Sequence, residues 1–455
     1  MPGADGGADA QPRYRLEQLP DGTVRQYSPL TGTVAWTVPG RSHRPVAPDA
    51  TPPVLLGPDD HGARCAFCPA RQLETPPEKA RLVMLAPGAG SRAPEPPWQI
   101  LRHVGADQLA ATRAEVRRIP NLFEILPLEY WQANHGYVIP DPIRSRAAAY
   151  AADPAGRAHL LGLMRTRARA SGASAQEVAE LGDEHLLAGA VRFFDGAHDL
   201  VVARRHFIDG ATHDDQLASA GDLTPDEHHA YLVMAVDALS DLHAAVPGAA
   251  YVATFQNWLR AAGASFDHLH KQLVAIDELG PLMTRILTML DRTPDLFSVA
   301  IADPAAGDRL VIAENDHAIA LAGVGHRYPT VEVYSRGRAN RPWEHDAAAL
   351  RGVSDMLHAV HAATGRAVPT NEEWHYRPVG AAAPMPWRIN VKWRVSTLAG
   401  FEGGTRINVN TISPADLRAR MVHALGRRRS AGRIAAMSLG DECSHRAGVL
   451  AYLGG

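Results

Sequence analysis

The order in which strand-like and helix-like stretches follow one another constrains this chain most, because the order occurs twice. In the second half, FSVAIAD (297–303), RLVIAEND, HAIALAGV and TVEVYSR alternate apolar and polar residues as strands do. A helix is predicted over His345–Ala363. Trp374-His375-Tyr376 then leads through a Pro/Ala loop to the strand-patterned PWRINVKWRV and a glycine-rich turn at 399–405. The first half runs the same way. EVRRIPNLFEILP (115–127) reads as a strand entering a loop, and a short apolar strand follows Gly196. Thr224-Pro225-Asp226-Glu227 opens a helix with a capping box and a proline at its first position. Tyr251–Phe255 is a strand, and the small-residue loop Ala261-Ala262-Gly263-Ala264-Ser265 closes the series. With 455 residues, the chain has room for two domains or for one built as two similar halves. The repeated order suggests duplication within an α+β chain, which the pattern alone does not establish.

Other segments carry simpler expectations. Residues 1–12 are rich in Gly, Ala, Asp and Pro and are expected to be disordered. From Tyr14 the chain reads as strands, with turns at Pro20-Asp21-Gly22 and Thr31-Gly32. Residues 140–190 read as a helical insertion or lid, with Arg165, Arg167 and Arg169 on a solvated face. The helix opened at Thr224 runs to about His243. It carries apolar Leu232, Val236 and Leu239, and His228, His229 and His243 are expected at its surface. Leu279–Leu290 is another helix, and the tail after residue 426 holds Cys443, expected as an unpaired thiol.

The chemistry is densest between Asn257 and Ile276, NWLRAAGASFDHLHKQLVAI. On an extended strand, His268, His270 and Gln272 share one face. One imidazole can attack phosphorus, an amide can hold an oxygen, and backbone N–H groups of the small-residue loop can take the remaining charge. Two surface histidines on an edge strand would give the same pattern. Cys65-Ala-Phe-Cys68 supplies half a tetrahedral zinc site or a redox pair. Its proline-rich flanks argue against the redox reading, and with no second C-x-x-C the remaining ligands must be histidine or carboxylate. The formal net charge is −3 with no Lys/Arg block, which speaks against nucleic acid. No apolar run is long enough to span a bilayer and the N-terminus lacks signal-peptide features, so a cytoplasmic location is expected.

Six motifs in order give these pieces a common source. They are R-x-x-R-P at Arg41 and Arg44, C-x-x-C-P at Cys65 and Cys68, T-P-P-E at Thr75–Glu78, and R-x-P-N at Arg118–Asn121. They continue with N-x-x-x-x-A-G-A-S-x-x-H-x-H-x-Q from Asn257 to Gln272, and A-G-F-E at Ala399–Glu402 followed by I-N-V-N-x-I-S-P. Together they resemble the galactose-1-phosphate uridylyltransferase family of the histidine-triad-like superfamily, including its sugar-nucleotide phosphorylase relatives. The resemblance implies two histidine-triad-like halves, each an antiparallel sheet with packed helices, over 13–276 and 277–426, with 427–455 as a tail. It implies zinc on Cys65, Cys68, His206 and His268, with His198 and His213 as rivals for the fourth position. It implies His270 as nucleophile, Gln272 on the transferred phosphoryl oxygens, and Ser265, Gly263 and Ala264 close to the phosphates. Arg41, Arg44, Asn121 and Asn257 would contact the nucleotide and Glu402 the acceptor.

Departures from the pattern narrow the expectation. Leu259 stands where relatives have glycine, Arg204-Arg205 where they have Pro-Asp, and Pro386 and Arg388 where many carry a second H-x-H, so a second metal site is not expected. Ser396 replaces a lysine, which speaks against a galactose-type pocket. The function implied is nucleotidyl transfer through a His270 adduct. The donor would be a nucleotide sugar or similar pyrophosphate, and the acceptor a phosphorylated small molecule. The alternatives are a phosphorylase using inorganic phosphate and a non-catalytic nucleotide-binding regulator. A homodimer is implied, with no nucleic-acid or membrane partner.

Overall fold

The computed structural model describes residues 13–40, 52–85, 96–397 and 399–454. The strands, in chain order, are β1 (Arg15–Gln18), β2 (Val24–Tyr27), β3 (Val34–Thr37), β4 (Ala80–Met84), β5 (Trp98–Arg102), β6 (Val116–Pro120), β7 (His198–Ala203) and β8 (Tyr251–Trp258). They continue as β9 (His270–Ile276), β10 (Val311–Glu314), β11 (Ala318–Ala322), β12 (Thr330–Ser335), β13 (Thr370–His375), β14 (Arg388–Trp393), β15 (Ile407–Asn410) and β16 (Ser438–Leu439). Among the described residues they form a small sheet, β1-β2-β3-β15, and a twelve-stranded sheet, β16-β10-β11-β12-β14-β13-β8-β9-β7-β6-β4-β5.

The large sheet is antiparallel throughout and reads the same outward from its middle. From the β8–β13 seam, β9, β7, β6 and β4 follow on one side, and β14, β12, β11 and β10 on the other. Helix Pro225–Ala245 links β7 to β8 as helix Ala347–Thr364 links β12 to β13. The expected pseudo-duplication is therefore present in the connectivity.

Local sequence explains the elements. Thr224 Oγ1 accepts from Glu227 N at 3.2 Å while Glu227 Oε2 accepts from Thr224 N at 2.8 Å, a reciprocal cap for the first helix. Asp346 caps the second by accepting from Ala349 N at 2.8 Å. Leu232, Val236 and Leu239 are buried in a core that runs through both halves. Against expectation, His228 and His229 are buried too. The helix is covered by helix Ala347–Thr364 as well as by the sheet, and His228 Nδ1 meets Ser354 Oγ at 2.8 Å. His243 is half-buried, with Nε2 3.0 Å from the Tyr376 hydroxyl. FSVAIAD is also corrected. Ser298–Ala302 and Asp303–Gly307 are helical, because an apolar run buried on most sides carries no usable period and Pro304 suits a first helical turn.

The 140–190 segment forms helices Asp141–Ala152, Pro154–Ala170, Ala175–Glu180 and Asp183–Gly189. Leu160 and Leu163 pack with Phe193 and Phe194 in a separate small core. Arg165 pairs with Asp183 at 2.9 Å, and Arg167 donates to Leu122 O at 2.8 Å, so these two are not free solvated charges. The small sheet is pinned to the second half where Gly325 N donates to Gln26 Oε1 at 3.1 Å. Gly325 has a positive φ, and a Cβ there would lie 2.2 Å from Ser28 N, so only glycine fits. After helix Pro414–Ser430 the chain returns as β16, pairing with β10. Cys443 is buried and free. No helix among the described residues is long and apolar enough to cross a membrane.

Candidate active site and metal cluster

A tight turn, closed by Cys68 N donating to Cys65 O at 2.9 Å, holds the two thiols together. The end of β7 brings His206 to them and the approach to β9 brings His268. The sulfurs lie 3.8 Å apart. Cys65 is 3.4 Å from His206 Nδ1 and 3.6 Å from His268 Nδ1, and Cys68 is 3.5 and 3.7 Å from the same atoms. A tetrahedral zinc with ordinary bond lengths needs sulfurs about 3.8 Å apart and sulfur–nitrogen edges of about 3.5 Å. The four donors therefore fit one metal ion such as zinc, and among the described residues they are the one such cluster. His268 Nε2–H donates to Ala203 O at 2.7 Å, which turns Nδ1 toward the sulfurs. Cys68 is pulled toward its thiolate chiefly by the hydrogen bond from the Cys65 thiol. The rival histidines lie elsewhere: His213 meets the Thr212 hydroxyl, and His198 meets Gln272. At the Arg204-Arg205 corner, ion pairs to Glu115 at 2.9 Å and Asp209 at 2.7 Å take over the anchoring. In T-P-P-E, Glu78 is buried against Arg81 at 2.6 Å and Arg117 at 3.6 Å, which explains its place in the motif.

His270 opens β9 and is 4% exposed. Its Nδ1–H donates to His268 O at 2.7 Å, which leaves the Nε2 lone pair free. Burial, the largest influence, holds its pKa down to about 4. Phe67, from inside the C-x-x-C turn, has its ring 5.3 Å from that of His270 and 4.5 Å from that of Phe266, forming an aromatic wall beside His270. Gln272 shares the face of His270. Its Oε1 is 3.1 Å from Nε2 of His198, a buried β7 residue held neutral, at about 4, chiefly by burial. Asn121 Nδ2 lies 3.1 Å from the same nitrogen. Continuing the β8–β9 register from Phe255–Gln272 sets Asn257 beside His270. Asn257 Oδ1 accepts from Asn371 at 2.7 Å.

The loop between them is strained as its sequence departure suggests. Leu259 keeps a φ of 67° and ψ of 155°, a conformation nearly reserved for glycine. Gly263 has φ 91°, and Ala264 is buried while Ser265 is exposed. Glu402 lies apart, on the short helix Gly400–Thr405 beside β15, where its carboxylate accepts from Ala399 N at 3.1 Å. The glycine-rich turn expected here is thus one turn of helix. Arg41 and Arg44 fall outside the described residues.

The second half has no histidine at the position matching His270. Phe255 pairs with Glu373 across the seam, and their neighbours are Gln272 and Asn390. The register therefore sets Asn390 in the place of Gln272 and Arg388 in that of His270. Arg388 is buried, 3.8 Å from Glu332 and 5.4 Å from the Phe297 ring. A guanidinium stays protonated and cannot attack phosphorus. Phe67, Phe266 and Asn371 escaped the sequence reading, which took His198 only as a rival metal ligand and Arg388 only as a departure from the motif. The spacing C-A-F-C could have flagged Phe67, whereas the others are brought in by strand pairing.

The family model described as a domain of unknown function, DUF4921, matches residues 19–452. This chain belongs to that family. The chain is also 26% identical to ADP-glucose phosphorylase of Arabidopsis thaliana over 179 residues. The match covers 37% of this chain and 50% of the relative, so the chain spans about half the length of the curated relative it matches. Its fold is shared with the crystal structure of an ADP-glucose phosphorylase from A. thaliana with bound ADP-glucose, at a TM-score of 0.55 and 17% identity. That alignment covers 88% of this chain and 98% of the other. A GALT-like protein of A. thaliana gives a TM-score of 0.51 at 16% identity, with the same coverage. The DUF4921 chain thus shares its fold with an ADP-glucose phosphorylase and a GALT-like protein, in line with the resemblance its motifs carry.

Proposed function

We propose that this chain transfers a nucleoside monophosphate from a nucleotide sugar to a phosphate-bearing acceptor through a covalent adduct on His270. The observation that carries this is the pinned His270 ring, whose Nδ1–H is bonded to His268 O, which leaves Nε2 free, with Gln272 two residues on along the same face of β9. In the first displacement Nε2 attacks the α-phosphorus. A P–N bond forms, the bridging P–O bond breaks, and a sugar phosphate leaves with the bonding pair. In the second, an acceptor phosphate oxygen attacks and the P–N bond breaks, returning neutral imidazole, which serves as both nucleophile and leaving group. Cys65, Cys68, His206 and His268 would hold zinc, whose contribution is structural: it would tie the strand carrying His270 to the C-x-x-C turn. Asn121 and Asn257 would contact the nucleotide and Ser265, Gly263 and Ala264 the phosphates. Arg41, Arg44 and Glu402 are proposed for nucleotide and acceptor.

A second reading takes inorganic phosphate as the acceptor, and the similarity to an enzyme named ADP-glucose phosphorylase favours it. Both readings share the first displacement. Labelled glucose 1-phosphate should therefore exchange into ADP-glucose, or into another nucleotide sugar of a panel, with no second acceptor present. Loss of the exchange in His270→Ala is expected. Exchange that survives in that variant sinks the proposal. Release of ADP on adding inorganic phosphate selects the phosphorylase reading.

A further inference from the structure

Both amides beside His270 have their oxygens occupied. Ile125 N–H can only donate, and it donates to His198 Nδ1 at 3.3 Å; the Asn121 NH2, 3.1 Å from Nε2, is also 3.4 Å from Nδ1 and can donate there, so Nδ1 is the acceptor and the ring proton sits on Nε2. That Nε2–H then donates to Gln272 Oε1 at 3.1 Å. With its oxygen so held, Gln272 turns its NH2 toward the open face of the strand. The second case is independent and comes from the other half of the chain. Arg394 Nη1, also an obligatory donor, bonds Asn371 Oδ1 at 2.6 Å. Asn371 must then present its nitrogen elsewhere, and it donates to Ala262 O at 2.8 Å and to Asn257 Oδ1 at 2.7 Å. Asn257 is left with its nitrogen toward the small-residue loop, 3.9 Å from where a Cβ on Gly263 would sit.

We propose that His198 and the Asn371–Arg394 pair are positioning residues that lock Gln272 and Asn257 as hydrogen-bond donors, so that the space over His270 selects a fully ionised phosphoryl group. This rests on the reading of His270 as the site of nucleotidyl transfer. A free amide can offer oxygen or nitrogen, and an oxygen facing an anionic phosphoryl group repels it. Two amides fixed as donors suit a ligand whose oxygens all accept, and they carry no reorganisation cost when it arrives. It also gives the second half a part in the site although Arg388 fills its own nucleophile position. Arg394 and Asn371 reach across the β8–β13 seam to set one donor, while His198 sets the other from β7.

The test is a pair of double-mutant cycles read by calorimetric affinity for AMP, UMP, GMP and CMP in turn. His198→Ala should weaken binding of the preferred nucleotide by roughly 10- to 100-fold, the worth of a hydrogen bond to a charged group. In a Gln272→Ala background the same change should cost less than about twofold, because the group it orients is gone. Asn371→Asp is isosteric and keeps a partner for Arg394, yet it draws the Asn257 NH2 to itself and turns Oδ1 toward the ligand. A similar loss is expected, again vanishing in Asn257→Ala. Equal losses in both backgrounds would mean a general structural effect or bulk charge, and would overturn the inference. So would wild-type protein that binds none of the four. Cycles that behave as stated, alongside wild-type protein that never exchanges glucose 1-phosphate, would overturn the transfer reading and leave the donor lock standing.

Discussion

Replacing Lys271 with Met should cost about 3–5 kcal/mol, although Lys271 touches nothing in the active site. It lies between His270 and Gln272 in sequence but projects from the opposite face of β9. Both Lys271 and Glu372 are fully buried, with Nζ 2.5 Å from Oε1. Glu372 also accepts from Trp374 Nε1 at 2.6 Å and His361 Nε2 at 2.8 Å. Burial alone would raise the Glu372 carboxyl, and the adjacent ammonium more than reverses this, holding it well below the usual carboxylate range. Without Lys271 a carboxylate stays in the core between two halves of the sheet with no countercharge. That residual charge, not the lost attraction, sets the magnitude. Lys271→Met combined with Glu372→Gln removes both charges, keeps an amide oxygen to accept from Trp374 Nε1 and an NH2 that donates to His361 Nε2 in its other tautomer, and should return to within about 1 kcal/mol of the wild type. Guanidinium unfolding followed by near-ultraviolet circular dichroism reads both variants. A single variant as stable as the wild type, or a double variant as damaged as the single, would refute the reasoning.

Three further outcomes follow from particular residues. Elemental analysis should find one zinc per chain, lost in Cys68→Ala and His268→Ala together with a lower melting temperature. Full metal content in either variant would contradict the ligand set. His228 and His358 lie ring to ring in the core, and burial holds His228 well below its ordinary value and His358 at about 4. A depressed histidine contributes stability that is complete above about pH 6.5 and is lost as pH falls toward 4, at up to about 1.4 kcal/mol per pH unit for each group. The slope of melting temperature against pH in that window should therefore shrink by one proton's worth in His358→Gln, and an unchanged slope argues against it. Leu259→Gly should relieve a strain of about 1–3 kcal/mol, offset in part by lost contacts of a half-buried side chain. The net gain is of order 1 kcal/mol, and a lower melting temperature would count against strain at this position.

Much of this architecture was legible because local signals agreed with the global fold. The Thr224 and Asp346 caps, the strand runs of β10–β12, and the turns at Gly22 and Gly32 need no tertiary information. FSVAIAD was not legible, since a segment buried on nearly all sides gives no face for a period to mark. His228 and His229 were misplaced for a related reason: polarity predicts exposure until a second helix covers the polar side. At the candidate site, Cys65, Cys68 and His268 could be read from C-x-x-C and H-x-H and His206 from the corner after β7, all by resemblance, and the four donor atoms converge. His198, Asn371 and Arg394 could not be found that way. Each is an ordinary polar residue whose meaning comes from which strand lies beside it, and register is not written in any single stretch of sequence.

Intact mass of the purified chain after mixing with ADP-glucose and a panel of other nucleotide sugars, without acceptor, tests the central claim most directly. The account predicts a gain of one nucleoside monophosphate on the wild-type protein, absent in His270→Ala and discharged by adding a phosphate acceptor. Turnover of a nucleotide sugar with no such gain, or a gain that persists without His270, would contradict it.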